Sequence, residues 1–201
     1  MIFDLIAILL VGTLLLFAGY AALQFLGKFP KRSMENVAPF LRPAESQELE
    51  SLLDPALEAN FGLRMSRPEF RQWQRRRIHL MREYLLRMSH NALVLIEWGN
   101  IEWTQEDCIS DRCREKQQLA QEMVQAATEF RLYSLLALTK MKLWLLLPSS
   151  LWFLIPSPSL PRLRSVFGID AVRSYHRLKD AAGGLSLSYG NEYHHELVGR
   201  L

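Results

Sequence analysis

The apolar positions of this chain fall into a few long stretches separated by proline-rich breaks, and each stretch predicts a different element. From Leu5 to Gly27 there are 23 residues without a charged side chain, followed at once by Lys28, Lys31 and Arg32. A helix of about 20 apolar residues crosses the ~30 Å hydrocarbon core of a bilayer, where only helices and closed barrels satisfy their own backbone. Residues 1–27 are therefore expected to form one transmembrane anchor, with Leu5, Leu14, Leu15, Leu16, Phe17 and Leu23 in the lipid. The rival is a cleaved signal peptide, which needs a basic start, a shorter apolar core and a small-residue cleavage site. Only the amino terminus and Asp4 are charged ahead of Leu5, and Gly19-Tyr20-Ala21 is a poor cleavage motif. Basic residues gather on the C-terminal flank, so the positive-inside rule puts Met1 outside and the bulk of the chain in the cytoplasm.

Residues 28–65 read as a juxtamembrane linker with short helices, because Pro30, Pro39 and Pro43 interrupt any continuation of the anchor. Pro43 to Leu53 suits one short helix, and Asp54-Pro55 starts another that fades at Asn60-Phe61-Gly62.

Residues 66–147 carry the strongest helical signal. Ser66 with Glu69 makes a capping box. Phe70, Trp73, Met81, Tyr84, Met88, Leu95 and Trp98 then recur near every third or fourth position. Gly99-Asn100 looks like a helix stop, and Thr104 with Asp107 like a second start. The next stripe runs Ile109, Leu119, Met123, Ala126, Phe130, Tyr133, Ala137, Met141 and Trp144 until Pro148. Two such helices with a short connection fold back as an antiparallel hairpin. Charge agrees, since Arg64 to His90 holds eight arginines against two acids, and Glu97 to Glu129 holds eight acids against three basic residues. A turn centred near Ile101 sets Arg87 against Glu115 and the Arg75–Arg77 run against Glu122 and Glu129. A second stripe on the first helix, Ile78, Leu85, Ala92 and Ile96, asks for a further cover: lipid, the short helices or another copy.

The end of this hairpin becomes heavily apolar over 132–155. Lys140 and Lys142 near its middle cost ~2.5–3.5 kcal/mol each in a membrane span, and Pro148 breaks it. It reads as an interfacial or re-entrant segment, with Lys140, Lys142, Trp144, Trp152 and Phe153 at the membrane interface, or as plain hairpin core. A Pro-rich linker follows at 148–160, then a short helix within 161–201, from about Asp170 to Ala182, stopped by Gly183-Gly184. The tail from Leu185 is expected to be mobile.

Composition narrows the function classes. With 49% hydrophobic and 22% charged residues among 201, wholesale disorder is excluded, and a net charge of +3 does not announce nucleic acid. The two cysteines, Cys108 and Cys113, form no disulfide framework and fit inert thiols in a reducing compartment. No phosphate-cradling loop, nucleophile elbow or His-Glu-x-x-His occurs. Glu192-x-x-His195 has bundle-type metal spacing but no second copy, so no metal or cofactor is expected.

Two surface features remain. Arg71, Arg75, Arg76, Arg77 and Arg82 could pair across the hairpin or meet anionic lipid headgroups. Trp98 and Trp103, at the hairpin tip, could bind a partner. The expectation is an all-α chain: a single anchor, a long hairpin and short peripheral helices. It would act as an interaction or scaffold protein at the cytoplasmic membrane face, its partners being the bilayer and a second copy or another membrane protein. The alternatives are a surface enzyme on a lipid-like substrate, using Glu97, Glu102 or the histidine tail, and, less favoured, a membrane-tethered nucleic-acid binder.

Overall fold

The computed structural model describes residues 37–104, 110–146, 160–166 and 168–201, all within one unit spanning 31–201. The predicted anchor residues Leu5, Leu14, Leu15, Leu16, Phe17 and Leu23 lie outside these, as do Trp152 and Phe153. Among the described residues no helix is long and apolar enough to cross a membrane. The described residues form six α-helices: α1 (Ser46–Leu52), α2 (Pro55–Arg64), α3 (Arg67–Trp103), α4 (Asp111–Leu146), α5 (Ala171–Leu187) and α6 (Asn191–Val198). Short 3₁₀ turns lie at Ala38–Phe40 and Leu160–Leu163. A two-stranded antiparallel ladder, β1 (Ser165–Val166) and β2 (Ile169–Asp170), pairs Ser165 with Asp170 and packs on α4. The all-α expectation holds.

Helix α3 begins where the capping box puts it. The Glu69 carboxylate accepts from Ser66 N at 3.0 Å and from Ser66 Oγ at 2.7 Å. Those two bonds hold its pKa below the ordinary glutamate value. The other end differs from expectation. The helix runs straight through Gly99-Asn100 to Trp103, so its 37 residues rise about 55 Å. Gly99 is a contact point rather than a stop. A Cβ there would lie 2.7 Å from Val124 Cγ2, 2.9 Å from Met123 Cε and 3.2 Å from the Ala120 carbonyl oxygen. Thr104 is likewise no helix start; it closes α3, with Oγ1 donating to Asn100 O at 2.8 Å. Ser110 stands at the head of α4 instead, its Oγ taking Cys113 N at 3.4 Å.

Moving the turn toward the 104–110 segment shifts every facing pair. Arg87 and Glu115, forecast as partners, do not pair. Arg87 lies 4.0 Å from Glu83 on its own helix, and Glu129 and Glu122 meet Arg177 of α5, at 3.1 and 3.9 Å. Arg131 of α4 faces Glu97 of α3, whose charge offsets part of the burial that lowers the Arg131 pKa.

Helix α4 is the central element, with α3 on one side and α5 on the other. A Cβ on Gly184 would lie 3.3 Å from Leu119 Cδ2, Arg177 meets Glu122 and Glu129, and the Tyr175 ring packs tilted against Phe130 at 5.0 Å between centroids. As α5 advances its partner on α4 recedes, so α5 is antiparallel to α4 and parallel to α3. The hairpin is thus the first two-thirds of an up-down-up bundle. Ile78, Leu85, Ala92 and Ile96, the stripe that asked for a cover, are all buried by the chain itself.

Part of that cover is the segment read as a linker. Val37, Ala38, Leu41, Ala44, Leu49 and Leu53 are all buried. Asn91, wholly buried in α3, pins the strap by both side-chain atoms: Oδ1 accepts from Arg42 N at 2.8 Å and Nδ2 donates to Arg42 O at 2.7 Å. The tail is packed too. Helix α5 passes through Gly183-Gly184 without ending there, and Tyr175 OH donates to Leu201 O at 3.0 Å. Leu197 and Leu201 are buried. Cys113 is disulfide-bonded, not a free thiol. The chain's other cysteine, Cys108, lies outside the described residues.

Candidate functional site

Two regions of α3 gather chemistry, one at each end. At the tip, Trp98 and Glu102 are one turn apart on the same face and both buried. The Glu102 carboxylate accepts from Trp98 Nε1 at 3.0 Å and from the Tyr189 hydroxyl. Lys116 of α4 places Nζ 3.9 Å from Glu102 Oε2 and 4.0 Å from the Tyr189 ring centre. Tyr193 of α6 completes the group, with centroid separations of 6.2 Å to Trp98 and 6.3 Å to Tyr189. Ring separations of that size are direct edge and tilted packing, which leaves no space among the rings for a ligand. Burial first, and then the bond to Glu102, raises the Tyr189 pKa, and burial pushes Tyr193 up to about 12. Neither phenol can supply a base near neutral pH. The cluster is a polar clasp joining α3, α4 and α6.

A second knot lies beside it. His194 Nδ1 is 2.9 Å from Ser186 Oγ and 3.0 Å from Gly183 O, while Ser186 Oγ donates to Gly183 O at 2.7 Å. On distance alone this is a serine–histidine pair. Ser186 is wholly buried, however, and its proton goes to a helix carbonyl, so no substrate carbonyl can reach it. His195 is exposed, and His176 is 2.8 Å from Glu50 on α1. Among the described residues no three His, Cys, Asp or Glu side chains are placed to hold a metal ion.

The base of α3 carries the arginines. Arg71, Arg75, Arg76 and Arg82 are exposed, whereas Arg77 is buried. Its Nη2 donates to Leu52 O and to Asp54 O, closing the C-terminus of α1, and its guanidinium lies 5.1 Å from the Trp73 ring centre. Burial lowers its pKa, opposed by Glu58 and then Asp54. Arg77 therefore serves the fold and does not belong to the surface cluster with which the sequence grouped it.

The remaining sequence candidates divide in the same way. Trp98 is core, and Trp103 is 50% exposed. Trp144 is buried, with Lys140 Nζ 5.4 Å from its ring centre, while Lys142 and Leu143 are exposed. Over its described part, the 132–155 segment thus presents Tyr133, Ala137, Met141 and Trp144 to the core. Lys116, Tyr189 and Tyr193 were not singled out from sequence. The Trp98/Glu102 and Tyr189/Tyr193 spacings of four were the available signal, but their meeting depends on α6 folding back.

No protein-family model matches the chain, and neither a curated protein nor a solved structure does.

Proposed function

We propose that the chain is a membrane-tethered helical interaction protein without a catalytic centre. The observation that carries this is the 23-residue uncharged apolar run from Leu5 to Gly27. The clasp at Glu102 supports the non-catalytic part, because its ionisable groups satisfy one another inside the bundle. Covering of the Ile78–Ile96 stripe from within removes one reason for a second copy. What remains for a protein partner is the tip, where Trp103 is half exposed beside the 104–110 connection. We place the helical domain at the cytoplasmic face, from Lys28, Lys31 and Arg32 against no Lys or Arg ahead of Leu5. The disulfide at Cys113 is the one observation that stands against it, since reducing compartments rarely keep such bonds.

Alkaline extraction of membranes tests the tether. Full-length protein should stay in the pellet and a version lacking residues 1–27 should leave it; release of the full-length chain would sink the reading. Crosslinking of the two forms from membranes, with and without Trp103→Ala, tests the tip. Thiol alkylation of intact cells settles the face: a maleimide shift without reductant fits the cytoplasm, and one seen only after reduction fits the oxidising side.

A further inference from the structure

Of the exposed basic residues of α3, four share one face of the helix, while Arg76 and Arg87 point to another. Arg71, Arg75, His79 and Arg82 follow one another at spacings of four, four and three, and all are exposed. At ~100° per residue these positions fall within about 80° of arc. Leu86, 46% exposed, extends the same stripe by one more turn. The two acids of this half sit off the stripe and are engaged, Glu69 in the capping box and Glu83 with Arg87. No ion pair between described residues uses Arg71 or Arg82. With Arg77 turned inward, one face of one helix carries a guanidinium row that has no acidic residue in its own stripe.

The Gly99 contact fixes the hairpin register, and following it back brings Lys142 and Leu143 of α4 level with the turn around Ile78. Leu143 is 57% exposed and Lys142 is exposed as well. Leu63, 87% exposed, lies at this same end, next to Arg64. The base of the bundle thus mixes cations with bare leucines. Nucleic-acid phosphates would engage the guanidiniums and offer the leucines nothing. A bilayer surface takes both, with phosphates for the cations and the acyl boundary for the apolar side chains.

We propose that the Arg71–Arg75–Arg82 stripe, extended by Leu86, docks α3 lengthwise on an anionic phospholipid bilayer. The proposal rests on the tethered reading above, which supplies the nearby surface, and names the lipid that surface must contain. Docking lays the base of the hairpin along the membrane. A cation near an anionic surface gains about 1 kcal/mol, so each arginine removed should shift the docked-to-undocked ratio roughly fivefold.

The test uses the full chain in two vesicle compositions, phosphatidylcholine alone and phosphatidylcholine with phosphatidylglycerol. A bimane on Leu86→Cys reports contact through quenching by brominated acyl chains. The native cysteines are accounted for by labelling the parent protein in parallel. Quenching is expected only with phosphatidylglycerol, should fall with added salt, and should be lost in Arg71→Glu/Arg82→Glu. Arg71→Gln/Arg82→Gln should give an intermediate signal, with unchanged helical circular dichroism marking both variants as folded. Equal quenching in the two compositions overturns the proposal, as does a charge-reversed variant that quenches like the parent. So does duplex DNA or an acidic peptide that strips the parent from the anionic surface at equal phosphate or carboxylate concentration. The tether is read separately, by flotation with phosphatidylcholine vesicles in high salt. Loss of flotation condemns the anchor, while the stripe stands or falls by the quenching.

Discussion

The two halves of α3 belong to one helix and share one neighbour, yet they meet solvent in opposite ways. From Asn91 to Gly99 every residue but Leu93 is buried, Glu97 included. From Arg67 to Arg87 burial is confined to one side: Gln74, Arg77, Ile78, Met81 and Leu85. The cause is the length of α5. Its 17 residues rise about 26 Å against about 55 Å for α3. It runs beside α4 only from the region of Phe130 to that of Leu119, and α6 folds over the tip. The tip half is therefore enclosed by α4, the 37–53 strap and the C-terminal helices, and can hold an aromatic and carboxylate clasp. The base half has one free flank, and arginines occupy it. A long helix does not have one character. Each turn is as polar as the elements beside it permit.

The sharpest way to break this contrast is to cut the strap from the tip half. Asn91→Ala should cost roughly 3 kcal/mol in urea unfolding, because two backbone groups of Arg42 lose their buried partners. Proteolysis within 37–53 should accelerate with it. An unchanged midpoint would show that the strap is not held by Asn91.

Alkali should separate the halves next. Tyr133 and Tyr189 have raised pKa values, and Tyr175 and Tyr193 are pushed up to about 12, all in the enclosed half. Each folded pKa lies above the ordinary 10.0, so folding retains the proton. That stabilisation is complete below pH 10 and is lost as the pH rises through about 12. For buried Tyr175 it amounts to about 2–3 kcal/mol. Hydrogen exchange at rising pH, corrected for intrinsic rates, should show α5 and α6 opening before the base of α3. Simultaneous loss would deny the asymmetry.

Glycine substitutions give a smaller and opposed pair of effects. Gly99→Ala should cost about 1–2 kcal/mol, overpacking against Val124 and the Ala120 carbonyl outweighing the gain of ~1 kcal/mol in helix propensity. Gly183→Ala should be neutral or stabilise by about 0.5 kcal/mol, since a Cβ there would lie 3.4 Å from the His194 ring, an ordinary van der Waals contact. Thermal melts of the two variants shifting in the same direction would contradict the distinction. The least effect on stability belongs to the open flank, where Arg71→Ala should change folding by under ~0.5 kcal/mol.

Much of the helical order was legible because its signals are local. Ser66 and Glu69 are three residues apart and meet whatever the rest of the chain does. The stripes Met81–Met88–Leu95 and Met123–Phe130–Tyr133–Ala137 name a buried face without saying what covers it. Sequence misjudged the stretches whose burial comes from distant partners. In the 37–53 strap the short helix is legible from the sequence, but its burial is not, because Asn91 holds the strap from 49 positions away. The tail from Leu185 reads as loose because Gly183-Gly184 resembles a stop, but Leu197 and Leu201 fill a core that α5 makes available.

The amino-acid order alone determined that this chain is helical, where its longest helix begins, and that one half of that helix is rich in arginine. It also set the uncharged run at Leu5–Gly27, a property of composition needing no partner. Only the tertiary arrangement decided what Gly99 is for, which arginine turns inward, and that Trp98 is core while Trp103 is surface. A glycine in a helix permits both a chain reversal and a close approach. The choice between them is made by an atom on another element, such as Val124 Cγ2 at 2.7 Å from where a Cβ would stand. Capping and periodicity act over three or four residues and can be read along the chain, but burial is a relation between segments and exists only once they have met.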